Sequence, residues 1–404
     1  MNFESFNFHP SIMAGVHALG YSIPTPIQLR SIPPILQGHD VIGLAQTGTG
    51  KTAAFVLPIL ERLRQNPGSR VRALIISPTR ELAEQTCEVI DNLGSRTGLR
   101  SVTIYGGVGM EQQVRELRSG ADIIVACPGR LLDHLWKGTF NLSGLEILVI
   151  DEADRMLDMG FLPDVRNILA CIMNGRQTLL FSATMSADIR RLTREILHNP
   201  VTIQIERQEP AKTVSHTICP VQPHLKTSLL KEILKKTKTE SVLVFTRTKH
   251  RAEQVAQQLV RAGYRVTSLQ GNLPQHQRQA ALEGFRTGFF KILVATDIAA
   301  RGIDVLSISH VINYDMPEST DDYIHRIGRT GRVNKNGDAI TLVTSADADK
   351  ISALERLLGT PLERLTLQDF DYNKPAPYKE TRPAPRLQRG SNRNRKTGKQ
   401  TITK

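Results

Sequence analysis

Two tandem α/β domains, each a mostly parallel sheet flanked by helices, form the fold class that this sequence predicts. Three observations carry the prediction. The chain has 404 residues, 40% of them hydrophobic, which suits two domains with real cores rather than one. Short apolar, β-branched runs alternate with longer helical patterns almost throughout, and strands that lack polar alternation belong in sheets buried on both faces. The runs also form two series, divided by a polar stretch without periodicity.

In chain order the first series is "VIGLA" (41–45), "ALIIS" (73–77), "VTIY" (102–105), "DIIVA" (122–126), "EILVI" (146–150) and "TLLF" (178–181). The divider "ERQEPAKTV" (206–214) contains Pro210 and reads as a linker. The second series is "SVLVF" (241–245), "RVTSL" (265–269), "KILVA" (291–295), "HVIN" (310–313) and "AITLV" (339–343). After about residue 372 large apolar residues nearly vanish, as expected of a disordered basic tail. The expected boundaries are 1–206 for the first domain, 207–213 for the linker, 214–371 for the second domain and 372–404 for the tail.

The net charge of +13 suggests nucleic acid, but its distribution matters more. From Lys374 onward ten Lys/Arg face one acid, so +9 sits in the tail and the body is nearly neutral. Aromatic residues are 5% of the chain, few for a module that stacks bases on aromatic platforms. No run of about 18 apolar residues would span a membrane. The N-terminus lacks a secretory pattern, and the four cysteines stand 40 or more residues apart. That spacing excludes a CxxC site and suits a reducing cytoplasm.

The strongest motif, "AQTGTGKT" (45–52), follows the first apolar run and opens a helical pattern. It reads as [AG]-x(4)-G-K-[ST] with Ala45 first, running through Gln46, Thr47, Gly48, Thr49 and Gly50. The glycines let backbone N–H groups turn toward phosphate oxygens, and the helix N-terminus adds its dipole. Lys51 is expected at the β/γ-phosphates of a nucleotide and the Thr52 hydroxyl at Mg²⁺. A phosphate loop needs a carboxylate at the end of a neighbouring strand, and "ILVIDEAD" (147–154) supplies it. Asp151 would hold the metal, and Glu152 would orient or deprotonate water. Seven further polar clusters, among them "SPTREL", "CPGR", "SAT" and "TDIAARGID", each follow an apolar run. They would line the carboxyl edges of the sheets, where open α/β sheets bind ligands.

These motifs, in this order from residue 3 to 332, resemble the DEAD-box RNA helicases. The resemblance implies two RecA-like domains that take ATP and RNA across their cleft, with Mg²⁺ as cofactor. Its adenine-reading segment matches "GYSIPTPIQ" (20–28) with an upstream aromatic at Phe3. Tyr21 would pack on adenine and Gln28 would bond its edge, an amide offering one donor and one acceptor. Asp304 would hold the ribose. Ser182 and Thr184 of "SAT", with His325, would couple hydrolysis to domain closure. Arg80, Gly106, Gly107 and Arg130 on the first domain, and Arg247, Gln275, Arg278 and Thr296 on the second, would face RNA. In "HRIGRTGR" (325–332) Arg329 and Arg332 would reach the γ-phosphate on closure and stay hydrated while the cleft is open. Arg326, on another side of the turn, would support the loop or the domain interface.

Two positions depart from the pattern. Cys127 stands where the family usually has Thr, leaving a backbone N–H as the donor to RNA, and Gln270 stands where His is common. The compact core and short basic tail are similar to the bacterial RhlE-like branch. The partner class implied, besides structured or duplex RNA, is RNA-processing or ribosome-assembly proteins, with no membrane and a cytoplasmic location. A DNA helicase on the same core, or an ATP-gated RNA clamp that does not separate strands, is equally compatible with the spacing of the motifs.

Overall fold

The computed structural model describes residues 2–376 except 47, 66–69, 174, 206–213, 238–239, 301–307 and 331–336. The expected linker, and the tail beyond 376, therefore lie outside the described residues.

Among those residues two seven-stranded sheets form, and every strand pair is parallel. The first contains β1 (Val41–Leu44), β2 (Ala73–Ile76), β3 (Ser101–Ile104), β4 (Ile123–Ala126), β5 (Ile147–Ile150), β6 (Gln177–Ser182) and β7 (Val201–Gln204), in the order β3-β4-β2-β5-β6-β1-β7. The second contains β8 (Val214–Pro220), β9 (Val242–Thr246), β10 (Val266–Leu269), β11 (Ile292–Thr296), β12 (His310–Asn313), β13 (Gly337–Val343) and β14 (Glu363–Arg364), in the order β10-β11-β9-β12-β13-β8-β14.

The alternation of side chains across a strand explains the continuous apolar runs. In β5, Ile147 and Val149 point into one core with Phe55 and Leu57, while Leu148 and Ile150 point into the other with Leu131 and Met156. Helices cover both faces, so neither set can be polar.

All eleven expected runs are strands. Three further strands were not expected. In β7 only Ile203 is buried, so this edge strand carries no apolar run. β8 pairs with β13 over seven residues, yet its sequence "VSHTICP" mixes polar side chains with apolar ones. β14 is a two-residue edge. Strands near a sheet's margin bury less and leave a weaker pattern in the sequence. The second domain's core continues past residue 364, where Leu365, Leu367, Phe370 and Tyr372 pack on the cluster around Leu229 and Val244.

Candidate functional site

The phosphate loop turns from β1 into the helix Lys51–Leu63. Gly50 has φ +91°, a turn that favours glycine, and a Cβ there would press on the Gln28 amide nitrogen at 2.5 Å. Lys51 is buried, and its Nζ donates to the Ala45 carbonyl at 2.8 Å. The ammonium thus closes the loop on itself and would have to turn away from Ala45 to meet a phosphate. Thr49 Oγ1 donates to the Gln46 carbonyl, and Thr52 stands in the first turn of the helix. Thr47 lies outside the described residues.

Gln28 sits in the helix Pro26–Leu36. Its Oε1 accepts from the Thr25 N–H at 2.9 Å and its Nε2 donates to the Gly50 carbonyl at 3.1 Å. One amide therefore joins the segment expected to read adenine to the phosphate loop, and each end keeps a second hydrogen-bonding site for a base edge. Tyr21 stacks on Phe3, with centroids 6.0 Å apart.

At the end of β5, Asp151 is 4% exposed, and its Oδ1 is buried with no hydrogen-bond partner among the described residues. Burial, followed by the charge of Glu152, raises its carboxyl well above the usual range, against the pull of Lys51. A carboxylate so placed suits a cation. Glu152 is also buried, adopts φ +52° and pairs with Arg155. A positive φ is costly for a residue other than glycine, and such strain collects at functional sites. Asp154, which the sequence reading did not single out, organises the next loop. Its Oδ2 accepts from the N–H groups of Ala183 and Thr184 at 3.0 and 2.9 Å and from the Thr184 hydroxyl at 3.2 Å, while its own N–H donates to Ser182 Oγ. The "DEAD" and "SAT" turns are thereby one unit.

Of the candidate RNA residues, Arg80 and Gln275 meet across the two domains, and Arg278 also reaches the first. Arg80 lies over Gly107, where a Cβ would clash with its guanidinium at 2.2 Å and where φ is +86°. Its Nη1 also donates to Gln275 Oε1 at 3.4 Å. Arg278 pairs with Glu81 at 2.7 Å, and Gln279 Nε2 donates to Glu84 Oε1 at 2.7 Å. These contacts join the helix Arg80–Leu93 to the helix Gln275–Arg286. Glu81 and Glu84 are the partners that motif reading overlooked, because only the fold brings them to those positions. Arg130 Nη1 is turned inward onto the Val108 carbonyl and Gln113 Oε1. Arg247 is exposed and pairs with Glu318 at 2.9 Å, Thr296 ends β11 partly exposed, and Gly106 precedes Gly107 in the same loop.

One expectation is corrected. The Cys127 N–H donates to the Ile104 carbonyl at 2.8 Å. That bond continues the β3–β4 ladder, so this donor is not open to RNA. Burial also pushes the Cys127 thiol up to about 12. Arg329 is 4% exposed. Here the domain edges are in contact, and Arg329 has interactions within the protein. Gln270 caps its own turn, accepting from the Asn272 N–H at 2.7 Å. His325, in the helix Thr320–Ile327, is partly buried and engaged. Asp304 and Arg332 lie outside the described residues.

The DEAD/DEAH box helicase model matches residues 25–192, and the helicase conserved C-terminal domain model matches residues 225–334. The ATP-dependent rRNA helicase RRP3 of Saccharomyces cerevisiae is 45% identical over 385 residues, covering 91% of this chain and 76% of that one. The DEAD-box ATP-dependent RNA helicase CshA of Geobacillus kaustophilus is 40% identical over 370 residues, covering 91% and 79%. Among solved structures, S. cerevisiae Dbp5 bound to RNA and ADP BeF3 is 31% identical with a TM-score of 0.79, over 90% of this chain and 95% of that one.

Proposed function

The chain belongs to the DEAD-box family of ATP-dependent RNA helicases, and from that premise we infer how its own residues bind ATP and RNA and couple the two. It is an RNA helicase with RNA-stimulated ATP hydrolysis. Its first domain (1–206) carries the nucleotide site, a linker (207–213) follows, and the second domain, expected over 214–371 but with Tyr372 also packed on its core, closes over that site.

The observation that carries the mechanistic reading is the pair at the end of β5: a buried Asp151 Oδ1 without a hydrogen-bond partner, beside Glu152 in a strained turn. Asp151 and Thr52 would hold Mg²⁺, which when bound supplies positive charge to the phosphate oxygens. Gly48, Gly50 and the start of the Lys51 helix cradle the phosphates, and Lys51 exchanges the Ala45 carbonyl for them. Glu152 orients the attacking water and takes its proton. Arg329 and Arg332 meet the charge that develops on the γ-phosphate. Because Asp154 binds the "SAT" backbone and hydroxyl together, a shift at Asp151–Glu152 reaches Ser182 and Thr184 directly.

RNA runs along the joined carboxyl edges and is held chiefly through phosphates and sugars, since no base-reading element is evident among the described residues. The reading favours structured RNA in the cytoplasm, with RNA-processing or ribosome-assembly proteins as companions. The test is steady-state ATPase with RNA and with DNA of matched sequence, beside strand displacement on a short duplex. Stimulation by RNA with displacement is expected. Equal stimulation by DNA would point to a DNA helicase, and stimulation without displacement to a clamp. Glu152→Gln should retain ATP binding and lose turnover.

A further inference from the structure

The helix Met110–Arg118 has two buried positions, Gln113 and Leu117, one turn apart. Leu117 is the residue expected on a core-facing stripe, whereas an amide at 113 costs free energy unless all its groups are bonded. Gln113 is 3% exposed, and both ends of its amide are engaged. Nε2 donates to the Tyr105 carbonyl at 2.9 Å. Oε1 accepts from Arg130 Nη1 at 3.3 Å and faces His134 Nε2 at 3.0 Å. An amide oxygen only accepts, so His134 carries its proton on Nε2 and turns Nδ1 toward Thr139 Oγ1, 2.9 Å away. Arg130 Nη1 in turn donates to the Val108 carbonyl at 3.0 Å.

The Gly106–Gly107 turn is therefore pinned on both sides. Its leading carbonyl, Tyr105, is held by Gln113, and its trailing carbonyl, Val108, is held by Arg130, which Gln113 also holds. Two glycines in succession have no side chains with which to fix themselves, and Gly107 is in the left-handed region. Without these ties the turn would sample many conformations.

We propose that Gln113 is a positioning residue for RNA binding, which locks the Gly106–Gly107 turn and Arg130 into one surface that receives adjacent phosphates of the strand. The proposal rests on the reading that Gly106, Gly107 and Arg130 face RNA. Gln113 touches no ligand. It acts through Arg130 and the turn.

The experiment is a double-mutant cycle on the full chain, reading the RNA concentration that half-saturates ATPase. Gln113→Leu should raise that concentration about ten-fold, as expected when a buried charged donor loses its acceptor, with turnover at saturating RNA changed far less. Arg130→Ala should raise it as well, and the double variant should be no worse than the more affected single, since both act through one unit. Gln113→Glu, which keeps an acceptor for Arg130, should recover part of the loss. Should Gln113→Leu not fold, the cycle runs with Gln113→Asn, an amide one methylene short of its three partners. Additive losses, or unchanged half-saturation in a folded variant, would overturn the proposal. A wild-type chain that RNA does not stimulate would instead remove the reading on which it stands.

Discussion

Arg326 donates from Nε and Nη2 to the two carboxylate oxygens of Asp297, at 2.6 and 2.7 Å, joining the "HRIGRTGR" helix to the residue that follows β11. Its Nη1 reaches Asn313 Oδ1 at 3.1 Å and the Asp315 carbonyl at 2.8 Å, and the guanidinium lies 5.0 Å from the Phe245 ring centre. This arginine is thus a strut within the second domain. Arg326→Ala should cost about 3 kcal/mol of stability, the scale for leaving a largely buried ion partner alone. Lysine should rescue poorly, since it lacks the planar fork. Urea unfolding of the full chain reads both, and an unchanged midpoint for the alanine variant would contradict the assignment.

Gln28 should set both nucleotide choice and loop order. Gln28→Ala should weaken ATP binding by about 1–3 kcal/mol, the scale of a bidentate amide–adenine contact, and should also free the Gly50 carbonyl that the amide now holds. Titration of wild type and variant with ATP and GTP measures this. Efficient RNA-dependent use of GTP by the wild type would show that Gln28 does not select adenine.

Arg329 and Arg332 should act as fingers. An arginine finger in phosphoryl transfer is worth roughly 10³–10⁵ in rate, so Arg329→Lys and Arg332→Lys should nearly abolish turnover at saturating RNA. The first domain alone (1–206) should bind ATP weakly and show almost no RNA-stimulated hydrolysis. Near-wild-type turnover in any of the three would return these arginines to a structural role.

His134 makes the fold sensitive to acid. Burial lowers its pKa, Arg130 and Lys137 lower it further, and Asp133 opposes them. The imidazole is therefore neutral in the fold, bonded to Gln113 and Thr139. The unfolded chain takes up the proton first as pH falls below about 6.5, so stability present above that pH is lost on acidification toward the folded pKa. His216, also lowered by burial, adds to the same slope. Melting temperatures between pH 7.5 and 5.5 should fall more for wild type than for His134→Asn. Equal slopes would exclude His134.

The tail should tether RNA without sequence preference. Residues 377–404 hold nine Lys/Arg and one acid. Truncation after Ala376 keeps Tyr372 against Phe370 and the Lys374 carbonyl on His224. It should raise the RNA requirement and flatten its salt dependence, because fewer counterions are released. Identical salt slopes would take the tether out of the account.

The sequence by itself determined the two α/β domains, because helices on both faces force the strands of a parallel sheet to be apolar at every position. It also made the glycine-rich turn from β1 into the Lys51 helix and the acidic pair Asp151–Glu152 at the end of β5 legible, since each follows an apolar run at a fixed spacing. The margins were hidden. β7 and β8 bury only part of their side chains, so their patterns are faint. Only the tertiary structure decided who pairs with whom. Asp154 holds the "SAT" turn, Glu81 meets Arg278, the Cys127 N–H belongs to the sheet, and Gln113 ties a glycine turn to Arg130. Each is a hydrogen bond or ion pair between residues that the fold rather than local sequence brings together, three of them within the first domain and the Glu81–Arg278 pair only where the two sheets' edges meet. Local pattern reports burial, whereas partnership depends on where the chain returns.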